Sequence, residues 1–261
     1  MLLVMDIGNT NIKLAVYDGD KNLGSWRVAV IEKSTADEYG ITIKNLFSLV
    51  GISFDDIDGA IISSVVPSMN YTIEHMCQYY INVNPIFVSH DLDLGMEILY
   101  DNPRQLGSDR LVNSIAAATL YGVPCIVLDV GTATTFSVVD KNGAFAGGVI
   151  APGLKSSINA LSESASKLPF IEIQTPKKVI GTSTVENMQA GAVYGFIGLI
   201  DNIINMIRNE LCDDSVKIIA TGGLFEVIKD KYSKEIFTVD RSLTLKGLKI
   251  IYDRQKSIKE V

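Results

Sequence analysis

The chain contains 261 residues, 47% of them hydrophobic, and carries a formal net charge of -7 without any cluster of Lys and Arg. This length and composition allow one large or two medium domains with well-filled cores. The acidic balance excludes nucleic acid as the main partner, because binding a phosphate backbone needs a basic surface. An anionic small substrate must therefore be bound by local groups.

The apolar pattern of the first half predicts a strand hairpin followed by alternating helices and strands. After the opening hairpin we expect a third strand at 22–30, helices at 37–50 and 68–81, and further strands at 60–64 and 86–88. A helix at 108–120 then leads to a second hairpin, opened by Pro124, with a third strand at 143–150. Since the second half restarts the order of the first, we predict two α/β halves, residues 1–114 and 115–261.

The rest of the chain continues with alternating helices and strands. We expect helices at 154–164 and 185–210, a strand at 216–221, a Gly-Gly turn at 222–223 and a terminal helix within 243–259. The most apolar segment, 190–207, is interrupted by polar residues and has the periodicity of a buried helix, so no membrane span is predicted. The N-terminus enters a strand within two residues and shows no secretory signal.

Cysteines and histidines show no spacing typical of metal ligands. They are Cys77, Cys125, Cys212, His75 and His90. The odd number of cysteines and the lack of a Cys-x-x-Cys pattern predict a reducing, cytoplasmic location without a zinc site. We assign these five residues structural roles only.

Two short segments carry nearly the same motif, Asp6-Ile-Gly-Asn-Thr and Asp129-Val-Gly-Thr-Ala-Thr. Glycine lets a backbone approach phosphate oxygens, Thr and Asn add donors, and an aspartate beside phosphates suits a metal ion or its waters. One copy alone could be an ordinary Asp-Gly turn, but two copies favour a pair of phosphate-binding hairpins. We therefore expect a duplicated α/β protein with the hairpins facing across a nucleotide cleft.

Further motifs follow in a fixed order along the chain. They are Tyr100-Asp-Asn-Pro, Leu106-Gly-Ser-Asp-Arg, Gly147-Gly-Val-Ile-Ala-Pro-Gly, Leu168-Pro, Gly181-Thr-Ser-Thr, Met188-Gln-Ala-Gly and Thr221-Gly-Gly. With the two hairpins, they resemble the type III pantothenate kinase family over nearly the whole chain. The resemblance implies an actin-like (ribonuclease H-like) duplicated fold and phosphorylation of pantothenate at the start of coenzyme A synthesis. It also implies Mg²⁺ with ATP, a monovalent cation (K⁺ or NH₄⁺) and a homodimer.

The segment Gly107-Ser-Asp-Arg places a carboxylate and a guanidinium at the start of a helix. Alone, it would indicate an N-capped helix with a local ion pair. Beside two phosphate hairpins the functional interpretation is favoured, and the resemblance implies that Asp109 is the catalytic base. Arg110 offers a planar fork for the pantothenate carboxylate, and the backbone N–H groups of Gly107 and Ser108 could contribute.

The resemblance also implies that Tyr100, Thr184 and Asn9 bind pantothenate. For Tyr100 simple packing remains the alternative. The segment before Thr184 departs from the family, since it reads Gly-Thr-Ser-Thr where Gly-x-Asn-Thr is more often expected. Hydrogen bonding around the substrate tail is therefore less secure, although Thr184 keeps its hydroxyl.

Nucleotide phosphates are assigned to the two hairpins. The binding residues are Asp6, Ile7, Gly8, Asn9, Thr10, Asn11, Ile12 and Lys13 in the first segment, and Gly131, Thr132 and Thr134 in the second. Lys13 could face solvent or reach a phosphate as a point charge. The resemblance implies that Asp129 binds the monovalent cation, and Asp6 is the expected Mg²⁺ partner, through water. The turn at Thr221-Gly-Gly fits a nucleotide-side loop or a simple connector.

Two other functions stay open at this point. A kinase for another small hydroxyl or carboxylate acceptor could use the same fold, because a shared fold does not fix the acceptor. A nucleotide-dependent regulator could bind ATP without any acceptor. For assembly, the small apolar face of Gly191, Gly195, Gly198 and Leu199 is the candidate dimer surface, with packing inside a domain as the alternative.

Overall fold

The computed structural model describes residues 1–229 and 238–259. Contacts within the chain divide it into two compact units. Unit 1 comprises residues 1–96, 100–116 and the chain from 242 onward, and unit 2 comprises residues 97–99 and 117–241. Each unit has its own five-stranded sheet among the described residues.

Unit 1 is built on a mixed sheet with helices. Its strands are β1 (Leu2–Ile7), β2 (Asn11–Asp18), β3 (Lys21–Ala29), β4 (Gly59–Ser64) and β5 (Ile86–Phe87). They lie in the order β3-β2-β1-β4-β5, with β1 to β3 antiparallel and β4 and β5 parallel to β1. Its helices are α1 (Ala36–Ser48), α2 (Pro67–Met76) and the start of α3 (Ser108–Tyr121).

Unit 2 repeats this topology. Its strands are β6 (Cys125–Val130), β7 (Ala133–Val139), β8 (Phe145–Pro152), β9 (Lys217–Thr221) and β10 (Thr238–Val239). The order is β10-β9-β6-β7-β8, again with an antiparallel three-strand start and parallel strands on the other side. Its helices are α4 (Leu154–Ser164) and α5 (Thr184–Leu211). The shared strand order confirms the predicted duplication.

Burial explains why the first strand of each sheet is so apolar. All six residues of β1 are buried, and β6 is buried except at Asp129. A central strand covered on both faces is expected to be a continuous apolar run. Phe47 of α1 and Ile73 of α2 belong to the core on one face of the unit 1 sheet. The Asp-Gly motifs therefore stand at the ends of rigid central strands.

The last helix, α6 (Leu243–Lys259), belongs to unit 1. It contacts β1, β2 and β4, and its Leu248 and Ile251 are fully buried. Gly247 is needed there, because an added Cβ would lie 2.5 Å from the carbonyl oxygen of Val112 in α3. The sequence-based division placed this helix in the second half, whereas its apolar side is buried in unit 1.

Two predicted elements differ in detail. The helix expected at 68–81 ends as an α-helix at Met76 and continues as a π-helical turn, Cys77–Ile81, closed by Asn82 with a φ of 60°. The strand expected from 143 begins at Phe145, because Gly143 has a φ of 83° and belongs to a turn. In that turn, Asp140 accepts the backbone N–H of Ala144 at 2.9 Å.

Helix α5 is long. By length and composition its 28 residues could cross a membrane, whereas the sequence pattern predicted no membrane span. A core helix of a globular protein satisfies the same criterion. Val193, Phe196 and Ile200 of this helix are buried in the unit 2 core against the sheet. Its apolar residues are thus used at least partly for packing within unit 2.

Candidate active site

The first phosphate hairpin joins β1 to β2 through a three-residue loop, Gly8-Asn-Thr. The N–H of Gly8 donates to the carbonyl of Asn11 at 3.1 Å, and the side chains of Asn9 and Thr10 are exposed. Ile7 and Ile12 are 0% and 1% exposed, so only their backbone can reach a ligand. The loop therefore exposes two polar side chains, and the residues that flank it are apolar and buried.

Asp6, the penultimate residue of β1, lies between two polar neighbours. Lys13 is its partner on β2, with Nζ 3.4 Å from Oδ2, and Ser63 is its partner on β4. The pKa of Asp6 is raised above its ordinary value, chiefly by burial. The nearby Lys13 ammonium opposes this shift, and the Asp109 carboxylate adds to it. Lys13 is thus directed at Asp6. The two carboxylates carry more negative charge than the single ammonium neutralises. A further cation would neutralise the rest, which fits the expected Mg²⁺.

The start of α3 holds the expected catalytic residue. Asp109 is half-buried, and its Oδ1 accepts the backbone N–H of Arg110 at 2.8 Å. A Cβ at Gly107 would lie 2.5 Å from the same oxygen, so glycine leaves the space that the carboxylate occupies. Arg110 is 7% exposed, and Tyr100 is half-buried.

Ser108 has a role that the sequence did not predict. Its hydroxyl lies 2.9 Å from the hydroxyl of Ser63 and accepts the backbone N–H of Ser64 at 3.1 Å. The end of β4 is thereby joined to the start of α3. The available signal for Ser63 and Ser64 was their position as polar residues at the carboxyl end of an otherwise apolar, buried strand.

The second phosphate hairpin joins β6 to β7 through two residues, Gly131 and Thr132. The N–H of Gly131 donates to the carbonyl of Ala133 at 3.0 Å, and the N–H of Gly153 donates to the carbonyl of Thr132 at 3.1 Å. A Cβ at Gly153 would lie 2.3 Å from that Thr132 oxygen. Thr134 is fully buried and donates to the carbonyl of Pro152 at 3.3 Å, so its hydroxyl stabilises the turn.

Asp129 and Thr221 are direct neighbours on the parallel strands β6 and β9. Gly222 follows with a φ of 91°, and a Cβ there would lie 2.6 Å from Oδ1 of Asp129. The hydroxyl of Thr221 is buried and has no hydrogen-bond partner among the described residues. A buried hydroxyl of this kind beside a carboxylate fits a bound ion or water, and these are the ligand types of a hard cation.

Thr184 is the first residue of α5 and is exposed. Ser183, where the family more often has Asn, is the N-cap and accepts the N–H of Glu186 at 3.2 Å. Serine and asparagine are both favoured N-caps, so the departure preserves the helix start. The N–H of Thr182 donates to the Glu186 carboxylate at 2.8 Å, which fixes the preceding turn.

An apolar cavity of about 590 Å³ lies within unit 2 between α4 and α5. Thr184 and Asn187 line it together with Gly191, Gly195 and Leu199, three of the four residues of the candidate dimer surface. A Cβ added at Gly191 or Gly195 would meet no described atom within 4 Å. These glycines are therefore not required by packing inside the chain.

Residues 2–206 match the family described as type III pantothenate kinase. The chain belongs to the type III pantothenate kinase family. A relative from Halalkalibacterium halodurans named type III pantothenate kinase is 45% identical and covers 97% of this chain and 99% of its own length. A second relative, from Brevibacillus brevis and with the same name, is 47% identical and covers 98% of this chain and 100% of its own length.

Solved structures show the same fold at low sequence identity. A Campylobacter jejuni protein described as a Baf family transcriptional activator has a TM-score of 0.61 at 18% identity, covering 98% of this chain and 99% of its own. The activator of 2-hydroxyisocaproyl-CoA dehydratase from Clostridium difficile, with bound ADPNP, has a TM-score of 0.56 at 13% identity, covering 100% and 97%. These likenesses confirm the predicted duplicated actin-like α/β fold.

Proposed function

We propose that this chain transfers the γ-phosphoryl group of ATP to pantothenate, giving 4'-phosphopantothenate in the first step of coenzyme A synthesis. The observation that carries the proposal is the identity of 45–47% to kinases of this name over nearly the whole chain. The motif residues at the start of α3 and in both hairpins support it, because they supply the groups that phosphoryl transfer needs.

Asp109 is the proposed general base. It accepts the proton of the substrate hydroxyl while that oxygen attacks the γ-phosphorus, and the bond from the γ-phosphorus to the bridging oxygen breaks to release ADP. Arg110 binds the pantothenate carboxylate through two parallel N–H donors, with Tyr100, Asn9, Thr184 and the N–H groups at the start of α3 holding the rest of the substrate. Most of the acceleration comes from positioning and charge neutralisation.

Backbone N–H groups of the two glycine loops are the proposed phosphate contacts. Exposed Asn9, Thr10 and Thr132 add side-chain donors. Magnesium would neutralise charge on the phosphates when bound, and Asp6 would hold it through water. Asp129 and the hydroxyl of Thr221 would hold the monovalent cation, which adds positive charge beside the second loop.

A homodimer is part of the proposal. The apolar cavity along α5 and its open glycines suit a second copy of this chain, since glycines without packing partners allow another backbone to approach. Three free cysteines agree with a reducing compartment, and we place the enzyme in the cytoplasm.

The test is phosphoryl transfer from ATP with Mg²⁺, comparing pantothenate with glucose and acetate in potassium and in sodium buffer. Formation of 4'-phosphopantothenate stimulated by potassium is the expected result. Transfer only to a control acceptor would replace the substrate assignment. Nucleotide binding without transfer to any acceptor would instead favour a regulator.

A further inference from the structure

Three serines connect the end of β4 to the start of α3. The Ser63 hydroxyl lies 2.9 Å from the Ser108 hydroxyl. The Ser108 hydroxyl accepts the N–H of Ser64 at 3.1 Å and can donate to the carbonyl of Ser64, also at 3.1 Å. Ser63 is 0% exposed, so no water competes for its hydrogen bonds.

The same Ser63 lies beside Asp6. The two residues are direct partners in the parallel pairing of β1 with β4, which places their side chains on the same face of the sheet, and the Ser63 hydroxyl lowers the pKa of the Asp6 carboxyl. A carboxylate oxygen accepts hydrogen bonds, so a Ser63 hydroxyl that donates to Asp6 accepts from Ser108. The single hydroxyl proton of Ser108 then goes to Ser63 and not to the Ser64 carbonyl. In this arrangement the hydrogen bonds run from Ser108 through Ser63 to Asp6.

We propose that Ser63 is a positioning residue for phosphoryl transfer, which fixes the Asp6 carboxylate relative to the helix start that carries Asp109. The inference rests on the proposed function of this site. Asp109 directly follows Ser108 in the chain, and the Asp6 and Asp109 carboxylates interact electrostatically. A displacement of about 1 Å at a reacting centre can cost about 100-fold in rate, so a buried link of this kind affects turnover.

Ser63→Ala removes the hydroxyl and keeps the strand pairing. We expect kcat to fall about tenfold or more while the KM for pantothenate stays within about twofold, because the change affects position and not substrate contacts. Calorimetric titration of a non-hydrolysable ATP analogue should also show a higher Mg²⁺ requirement for binding, by about threefold or more, as Asp6 loses its orientation.

Ser114→Ala is the matched control, since Ser114 is also fully buried in unit 1 and its hydroxyl donates only to the Arg110 carbonyl at 2.8 Å. It should leave kcat and the Mg²⁺ requirement unchanged. Equal losses in both variants, or no loss in Ser63→Ala, would overturn the proposal.

A double variant tests the link itself. Ser63→Ala combined with Ser108→Ala should lose less activity than the product of the two single losses, because both substitutions remove the Ser63–Ser108 hydrogen bond. Multiplicative losses would contradict a shared link. Should Ser63→Ala fail to fold, Ser108→Ala alone must show the same pattern of kcat, KM and Mg²⁺ requirement, or the proposal fails. A wild-type protein that does not use pantothenate would refute the proposed function, while the Mg²⁺ titrations would still decide on Ser63.

Discussion

The carboxylate of Asp109 is held by its own helix start. Its Oδ1 accepts the neighbouring N–H, and Gly107 leaves the space in which the carboxylate lies. An asparagine in this place can accept the same N–H through its own oxygen. A substitution by asparagine therefore preserves the local geometry and removes only the basic group.

We expect Asp109→Asn to lower kcat by roughly 10²–10⁴-fold while nucleotide binding persists, because it removes the proton acceptor and keeps the shape. Steady-state kinetics and calorimetric titration of the ATP analogue measure the two effects. Asp214→Asn, at an exposed carboxylate, controls for the change in charge. Turnover close to wild type would exclude Asp109 as the base.

Binding of pantothenate should be sensitive even to the replacement of Arg110 by lysine. Arg110→Lys keeps the charge but loses the planar pair of donors, so the KM for pantothenate should rise about tenfold or more with a smaller change in the KM for ATP. Arg27→Lys on an exposed strand position is the control. An unchanged KM for pantothenate would argue against carboxylate binding by Arg110.

Site motifs made of residues close in sequence could be predicted. Contacts between site residues on paired strands could not be predicted. The Asp-Gly loops and the start of α3 are local motifs. The position of Ser63 beside Asp6 depends on the parallel pairing of β1 with β4, which no local pattern shows. Thr134 has the right residue type for a phosphate contact, but its place on a buried strand directs its hydroxyl to the Pro152 carbonyl.

The end of α3 is joined to the segment after β10. Tyr121 donates to Asp240 at 2.8 Å. Burial and this hydrogen bond raise the pKa of Tyr121 to about 12, from an ordinary value of 10.0. Below pH 10 the phenol is protonated in both folded and unfolded chains, so its contribution to stability is intact. As the pH rises from 10 towards 12, only the unfolded chain loses the proton, and stability falls.

Tyr121→Phe should therefore lose less stability than the wild type between pH 9 and pH 11. At pH 8 the variant should be less stable by about 1 kcal/mol, because the hydrogen bond is missing. Urea unfolding midpoints of both proteins at the three pH values provide the measurement. If the unfolding midpoints of the two proteins fell equally as the pH rises, another group would control alkaline unfolding.

The glycines of α5 allow a test of assembly. Gly195→Ala places a methyl in open space and should stabilise the helix by about 0.4–1 kcal/mol without changing the oligomeric state. Gly195→Trp should convert the proposed dimer to a monomer, because a large side chain would occupy the apolar surface. Sedimentation at matched concentrations compares the two. A dimer that survives Gly195→Trp would move the interface away from this face.

The duplicated architecture could be predicted because each half begins with the same apolar strand and Asp-Gly loop. The position of α6 could not be predicted. Its apolar residues fit a buried helix in either half. Only the long-range contacts of α6 with β1, β2 and β4, together with the burial of Leu248 and Ile251, decide between the halves. Sequence patterns specify which face of a helix is buried, but seldom which sheet it covers.

The assignment of α6 to unit 1 also sets an order of events during synthesis on the ribosome. Almost all of unit 2 is one continuous stretch, residues 117–241, whereas unit 1 needs a helix that is translated after it. Until Leu243–Lys259 has left the exit tunnel, the face of β1 and β4 against which α6 packs lacks that helix. The half that begins the chain is therefore completed after unit 2, and part of its apolar surface stays exposed to solvent for longer.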